Sequence, residues 1–267
     1  MLLEFAGYLS SLFMGMLLGM IGGGGSILTV PILVYLFGTD PMLSTAYSLF
    51  IVGFTSLAGS FSHFKKGNVN LKMALIFGAP SVLAVFLVRR FLVPAIPNEI
   101  FTLGAYTLYR DTFILSLFAV LMVLAAGSMI RPSKATPEQL NPKPLRFGLI
   151  VLDGIIVGAL TGLVGAGGGF LIIPALILFT GLSMKQAVGT SLVIITFKSL
   201  IGFLGDIPGT SGIDYTFLTI FTSFAIAGII IGSNLSKSID NKKLKPAFGW
   251  FVLITGVGML VKEWILS

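Results

Sequence analysis

Four consecutive glycines, Gly22, Gly23, Gly24 and Gly25, sit inside an apolar stretch and constrain what the rest of this chain can be. Glycine is the poorest helix former after proline, so several together break a helix. A break within a membrane-spanning segment is costly unless protein or a water-filled cavity encloses it. The break is therefore expected inside the protein, at a site. It also occurs twice. Gly22 matches Gly165 (165 − 22 = 143), and the same offset matches Gly19 with Gly162, Gly24 with Gly167, Gly25 with Gly168 and Pro31 with Pro174. The register continues without a gap through Gly38 and Gly181 to Ser48 and Ser191. The chain reads as two copies of one unit, each carrying its own break.

Of the residues, 55% are hydrophobic and 10% charged, and the mean hydropathy is +1.02. A soluble domain is about a quarter charged, so this is the composition of an integral membrane protein with apolar stretches long enough to span. The net charge is +7, but the basic residues cluster in short loops between apolar segments. Cytoplasmic loops of membrane proteins read this way, and nothing here suggests nucleic acid. The absence of cysteine excludes disulfides and thiol chemistry, and a single histidine excludes a His-rich metal site. No cofactor is expected. The N-terminus shows neither a basic n-region nor a small-residue cleavage pattern, so no removable signal peptide is expected.

In order, residues 5–21 are expected to form a helix ending at the glycines, and 27–37 a shorter one, about half a membrane thickness. Residues 42–64, 71–93 and 112–130 are long enough to span. Residues 95–111 are mixed, with both signs of charge, and read as an interfacial segment. Residues 131–146, rich in proline and charge, read as a cytoplasmic linker between a first repeat, 1–130, and a second, 147–267. In the second, 147–164 lead to the break and 170–180 form the short helix. Residues 183–204, 215–235 and 246–265 are expected to span.

Lysine and arginine counts set the orientation. The linker carries Arg131, Lys134, Lys143 and Arg146, and the loop after residue 236 carries Lys237, Lys242, Lys243 and Lys245, which places both inside. The loop with Lys65, Lys66 and Lys72 is also inside, whereas its counterpart at 205–214 has two aspartates and no basic residue and falls outside. Equivalent loops thus face opposite sides. The expected fold is an all-α membrane protein of two inverted-topology repeats, each a glycine-broken hairpin plus three transmembrane helices. Arg89 and Arg90 fall outside in this scheme and count against it. Inverted repeats with broken helices mark secondary transporters. The two glycine tips would meet near the midplane. Ser26 and Gly169 are expected to start the short helices there, and helix N-termini present unpaired N–H groups and partial positive charge, which favour a small anion.

The paired glycine breaks, each followed by a proline and then a Thr-Ser-Leu element, resemble the TauE/SafE sulfite exporter family, also called TSUP. The second copy, Gly162 to Gly169 with Pro174 and Gly189-Thr190-Ser191-Leu192, carries the pattern more fully. The first departs from it at Ala46-Tyr47-Ser48-Leu49. The resemblance covers nearly the whole chain. It implies transport of small sulfur-containing anions, such as sulfite, thiosulfate, sulfoacetate or other organosulfonates, in a multi-pass protein of the cell membrane, the bacterial inner membrane being expected. Partners are then the anion and the lipid bilayer, and a homo-oligomer is left open.

The candidate substrate-binding residues are Gly22 to Gly25 with Ser26, and Gly165, Gly167, Gly168 and Gly169. These glycines could instead only permit close helix packing. Tyr47 and Ser48 match Thr190 and Ser191 and stand about two turns into the helix after the break. Their hydroxyls could alternatively bond back to their own helices. Lys198 is the most informative charge, because a membrane-embedded lysine is expensive and usually functional. It shares a face with Ser191, and its counterpart is Thr55 (198 − 143 = 55). Snorkelling to the outer end of its helix, about 10 Å away, is the alternative. Asp153 could carry a proton but reads rather as a solvated residue near a helix start, and His63 as interfacial. Other classes find less support. Gly209-Thr210-Ser211-Gly212 fits the GxSG pattern of an intramembrane serine protease, but His63 is assigned to the opposite face from Ser211. Cation transport would need embedded carboxylates, for which Asp153 is the one candidate. A transporter of another small anion, such as a carboxylate, remains open.

Overall fold

The computed structural model describes residues 2–103, 106–130, 147–207, 212–235 and 241–265. The 131–146 linker lies outside them. Helix α1 (Leu2–Ile21) ends at the first glycines, and a 3-10 turn, Gly25–Leu28, leads into α2 (Thr29–Leu36). Helix α3 (Pro41–Lys65) follows, then α4 (Leu71–Leu87), which passes through a π turn, Val88–Leu92, into the single turn α5 (Val93–Ala95). Residues 95–111, read as an interfacial segment, contain an antiparallel hairpin, β1 (Glu99–Leu103) and β2 (Tyr106–Tyr109), with Phe101 opposite Leu108. Helix α6 (Arg110–Ile130) closes the first half. The second half runs α7 (Phe147–Val164), α8 (Gly169–Thr180), α9 (Met184–Asp206), α10 (Tyr215–Leu235) and α11 (Asn241–Ile265).

Local chemistry sets the helix starts. Asp40 Oδ1 accepts from the Leu43 N–H at 3.0 Å, Asn70 Oδ1 from Met73 at 3.1 Å, and Asp214 Oδ1 from Phe217 at 2.9 Å. Ser183 and Gln186 form a reciprocal capping box at α9. Seven of the described helices are long and apolar enough to cross a membrane, and α8 is among the shorter apolar ones. Leu75, Leu83, Leu124 and Ile254 are exposed on their outer faces, as lipid contact requires. The protein is an all-α membrane protein apart from the hairpin.

Helices α3 and α9 are the two most buried spans and cross at the centre. They are antiparallel. A Cβ on Gly189 would meet His63 Cβ at 3.0 Å, one on Gly53 would meet Leu200 Cδ2 at 2.7 Å, and one on Gly202 would meet Leu49 Cδ1 at 3.3 Å, so α9 numbers rise as α3 numbers fall. Around this pair, α1 packs on α10 and α4 on α7, while α6 lies along α11. Exchanging α1, α3, α4 and α6 for α7, α9, α10 and α11 maps each of these packings onto another or onto itself.

Candidate functional site

Helix α7 ends at Val164, and Gly165, Gly167 and Gly168 then adopt φ of 71°, 63° and 76°. L-residues with a side chain reach this left-handed region only at a cost, which is why the turn is built of glycine. Gly168 is the N-cap of α8, and no side chain caps that helix end. Its first N–H groups point out of the helix with the partial positive charge of the dipole.

Lys198 reaches this point from α9. It is fully buried, its Nζ donates to Thr161 Oγ1 on α7 at 2.8 Å, and a Cβ on Gly168 would come within 2.6 Å of Nζ. The Thr161 hydroxyl spends its own proton on Val157 O at 2.6 Å. The ammonium has three N–H donors, and among the described residues Thr161 is its one hydrogen-bond partner and no carboxylate pairs with it. Lys198 does not snorkel: its head points at α7 in the interior. A buried cation beside the positive end of a helix is unfavourable on both counts. An anion there would relieve both.

The first break has a different shape. Gly22, at φ 81°, ends α1. Ser26 lies in the 3-10 turn that opens the short helix Gly25–Leu36, its Oγ donating to Gly23 O at 2.7 Å, and the α-helical turns of α2 begin at Thr29. Gly169 starts α8. The two breaks touch. A Cβ on Gly23 would fall on the Gly169 Cα, and one on Gly169 on the Gly23 Cα. A Cβ on Gly167 would lie 3.4 Å from Ser26 Cβ. Gly23, Ser26, Gly167, Gly168, Gly169, Thr161 and Lys198 are thus brought together.

The other candidates stand apart from that point. Gly22 packs against Val188 on α9, and Gly165 against Thr45 on α3, an exchange that follows the 143-residue offset. Gly24 faces Ile21, Phe248 and Met129, and Gly25 packs back onto Leu18 and Met14 of α1. The Tyr47 hydroxyl accepts from the Asp214 N–H at 2.7 Å, and Thr190 Oγ1 accepts from the Asn70 N–H at 3.0 Å. Tyr47 on α3 thus holds the residue that caps α10, and Thr190 on α9 the residue that caps α4. Thr55 and Ser191 bond back to Ile51 O and Val188 O. Ser48 Oγ is buried without a partner.

Sequence reasoning missed four further groups. Thr161, the partner of Lys198, is one. Ser56 and Ser199 match across the offset (199 − 56 = 143), stand next to Thr55 and Lys198, and are fully buried with unpartnered Oγ atoms. That match was the signal available in the sequence. The fourth is Arg89, which is 1% exposed although loop counting treats it as a solvated residue. Of the cavities, the groove between α4 and α9 is lined by apolar residues such as Leu75, Val82, Phe197 and Ile201 and offers an anion nothing. Residues 209–211 of the GxSG pattern lie outside the described residues, and His63 sits at the end of α3 beside Gly189.

Apolar spans around two broken helices that meet at a buried cation define a membrane transporter. The chain belongs to the sulfite exporter TauE/SafE family, whose model matches residues 8–259. Relatives agree. It is 30% identical over 255 residues to a "Probable membrane transporter protein" of Xylella fastidiosa (strain 9a5c), covering 94% of this chain and 92% of the relative. It is 29% identical over 248 residues to the "Probable membrane transporter protein YdhB" of Bacillus subtilis (strain 168), covering 92% and 96%. A "Probable membrane transporter protein" of Methanocaldococcus jannaschii is 28% identical over 260 residues, covering 92% and 89%. No solved structure matches significantly. The protein is a multi-pass membrane transporter and not an enzyme.

Proposed function

We propose that this chain is a secondary transporter, working as an exporter, of small sulfur-containing anions such as sulfite or organosulfonates, bound where the two glycine breaks meet. One observation carries the reading: a fully buried lysine with no carboxylate partner among the described residues stands over the uncapped N-terminus of α8. The sulfo oxygens would take N–H groups near Gly169 and Ser26, with Lys198 supplying the full charge. The unpartnered hydroxyls of Ser48, Ser56 and Ser199 are further donors within the α3–α9 core. Because Gly23 and Gly169 are in contact, the anion enters only as the breaks separate, which gives the transporter an occluded state. The sulfur chemistry itself rests on the family's character. A carboxylate would satisfy the same donors.

The reading includes two inverted repeats. Antiparallel α3 and α9 at equivalent positions, and helix packings that exchange between copies, support it. Of the two arginines that count against the orientation, Arg89 is buried in an ion pair rather than placed in a loop, and Arg90 is exposed. In this cysteine-free chain, Lys66→Cys and Tyr215→Cys are expected to label from opposite sides of the membrane. Labelling from one side would overturn the inversion.

The function is tested by flux into and out of proteoliposomes. Sulfite, sulfoacetate or thiosulfate should move down imposed potential or ion gradients without nucleotide, and Lys198→Met should abolish it. Movement of acetate but of no sulfur anion would replace the substrate class with carboxylates.

A further inference from the structure

A second group of charges lies at the end of the molecule where α3 begins and α9 ends. There a cavity of about 450 Å³ is lined by Arg89, Arg90 and Arg110 against Asp40 and Asp206. Arg89 comes from the π turn of α4. Its Nη1 donates to Thr45 Oγ1 at 2.9 Å and lies 3.3 Å from Asp206 Oδ2, both side chains being almost fully buried. The pair is loose. Asp206 Oδ2 makes no well-aligned hydrogen bond, and Arg89 Nε and Nη2 have no partner at all. A buried guanidinium normally spends its donors. Here the Nε and Nη2 edge is buried and unpaired, and such an edge can take two oxygens of one oxyanion side by side. Asp40 is already committed to capping Leu43, and Arg110 Nη1 reaches only Ile96 O, at 3.4 Å. Arg110 also pairs with Asp111 at 4.0 Å, so the unspent donors at this cavity are those of Arg89.

We infer that this cavity is a second anion-binding site, a vestibule station in which a small oxyanion bridges Arg89 while Asp206 competes with it for the guanidinium. The station rests on the anion-transport reading and adds a stop on the same route. Arg89 Nη1 bonds Thr45 on α3 and Lys198 Nζ bonds Thr161 on α7, so the two cations hold different hydroxyls on different helices. An anion at Arg89 and one at Lys198 therefore occupy different places. Asp206 keeps the station neutral when empty and swings aside when an anion arrives, so that affinity stays low enough for the anion to move on.

Sulfite binding to the purified full chain, measured by calorimetry with stoichiometry, tests this. Wild type should show two sites per chain, and Lys198→Met should lose the central one alone. Asp206→Asn removes the competing carboxylate and should tighten the outer site about tenfold, the worth of one charge-assisted hydrogen bond. Arg89→Gln with Asp206→Asn leaves no unpaired charge and should abolish the outer site. Unchanged or weaker outer binding in Asp206→Asn would overturn the inference and make the pair structural. If that variant does not fold, Arg89→Lys keeps the charge without the fork and should weaken the outer site about tenfold, and unchanged affinity would overturn the inference. The two readings fail separately. Loss of all binding in Lys198→Met with no effect of Arg89→Gln/Asp206→Asn would remove the vestibule and keep the central site. The reverse pattern would remove the central site and keep the vestibule.

Discussion

The two glycine breaks share one sequence pattern and put it to different uses. The second has three residues with left-handed backbone and opens directly into α8, so its uncapped helix start faces the centre. The first has one, Gly22, and passes through a 3-10 turn before α2 begins, so its helix start is set back from the meeting point. The equivalent positions on the crossing helices diverge in the same sense. Lys198 points its ammonium at the second break, whereas Thr55 bonds its own helix at Ile51. Duplication supplies a symmetric frame in which two breaks meet. The charge sits on one side of it, and a single asymmetric anion needs no more than one.

The sharpest way to break this comparison is at the contact itself. Gly23→Leu would drive a side chain into the Gly169 backbone. It is expected to abolish transport and to cost at least the 1–3 kcal/mol, roughly, of an overpacked core. Its neighbour is the control. Gly24 has right-handed helical backbone, and a Cβ there meets side-chain atoms at 3.2–3.7 Å, so Gly24→Ala should keep most activity and a thermal midpoint near wild type. Wild-type flux in Gly23→Leu would mean that the breaks need not touch.

A smaller effect is expected at Gly168. An alanine there must hold a left-handed backbone, at about 1–2 kcal/mol, and its Cβ displaces Lys198 Nζ and Thr161. Anion affinity should fall at least tenfold. Gly25→Ala is the counterpart in the first break. It clashes with the α1 backbone, so it should lower the thermal midpoint while any folded fraction binds the anion with wild-type affinity. Equal loss of affinity in both would say that the two breaks contribute alike.

The smallest effect is expected at Tyr47 and Thr190. Tyr47→Phe and Thr190→Val each remove one acceptor for a helix-start N–H, at about 1 kcal/mol of stability. Denaturation midpoints should drop while anion affinity stays. A large loss of affinity with unchanged stability would return these hydroxyls to the binding site.

The spans, the breaks and Lys198 were legible from the sequence because each leaves a local mark: length and hydropathy, a glycine cluster, and a charge in an apolar run. What stayed hidden depends on partners far along the chain. Tyr47 and Thr190 looked like ligands by position, but their partners are the backbone of Asp214 and Asn70. Arg89 looked like a loop residue because Asp206, the group that lets it be buried, lies at the end of another helix. The hairpin at Glu99 to Tyr109 escaped because a short segment of mixed charge carries no clear alternation. That the short helix of the first break opens with a 3-10 turn at Ser26 was also hidden, because a 3-10 turn and the first turn of an α-helix use the same kinds of residue.

The central claim is that Lys198 supplies the charge that holds the transported anion. Binding of sulfite, thiosulfate, sulfate, sulfoacetate, taurine and acetate to purified wild type and Lys198→Met tests it most directly. Loss of a charge-assisted hydrogen bond, about 1.5–3 kcal/mol, should weaken central-site binding of the sulfur anions roughly ten- to over a hundredfold. If the ammonium pairs with a second acidic group on the ligand, sulfoacetate should suffer more than sulfite. Equal affinity of both proteins for every anion would place Lys198 outside the site and contradict the account.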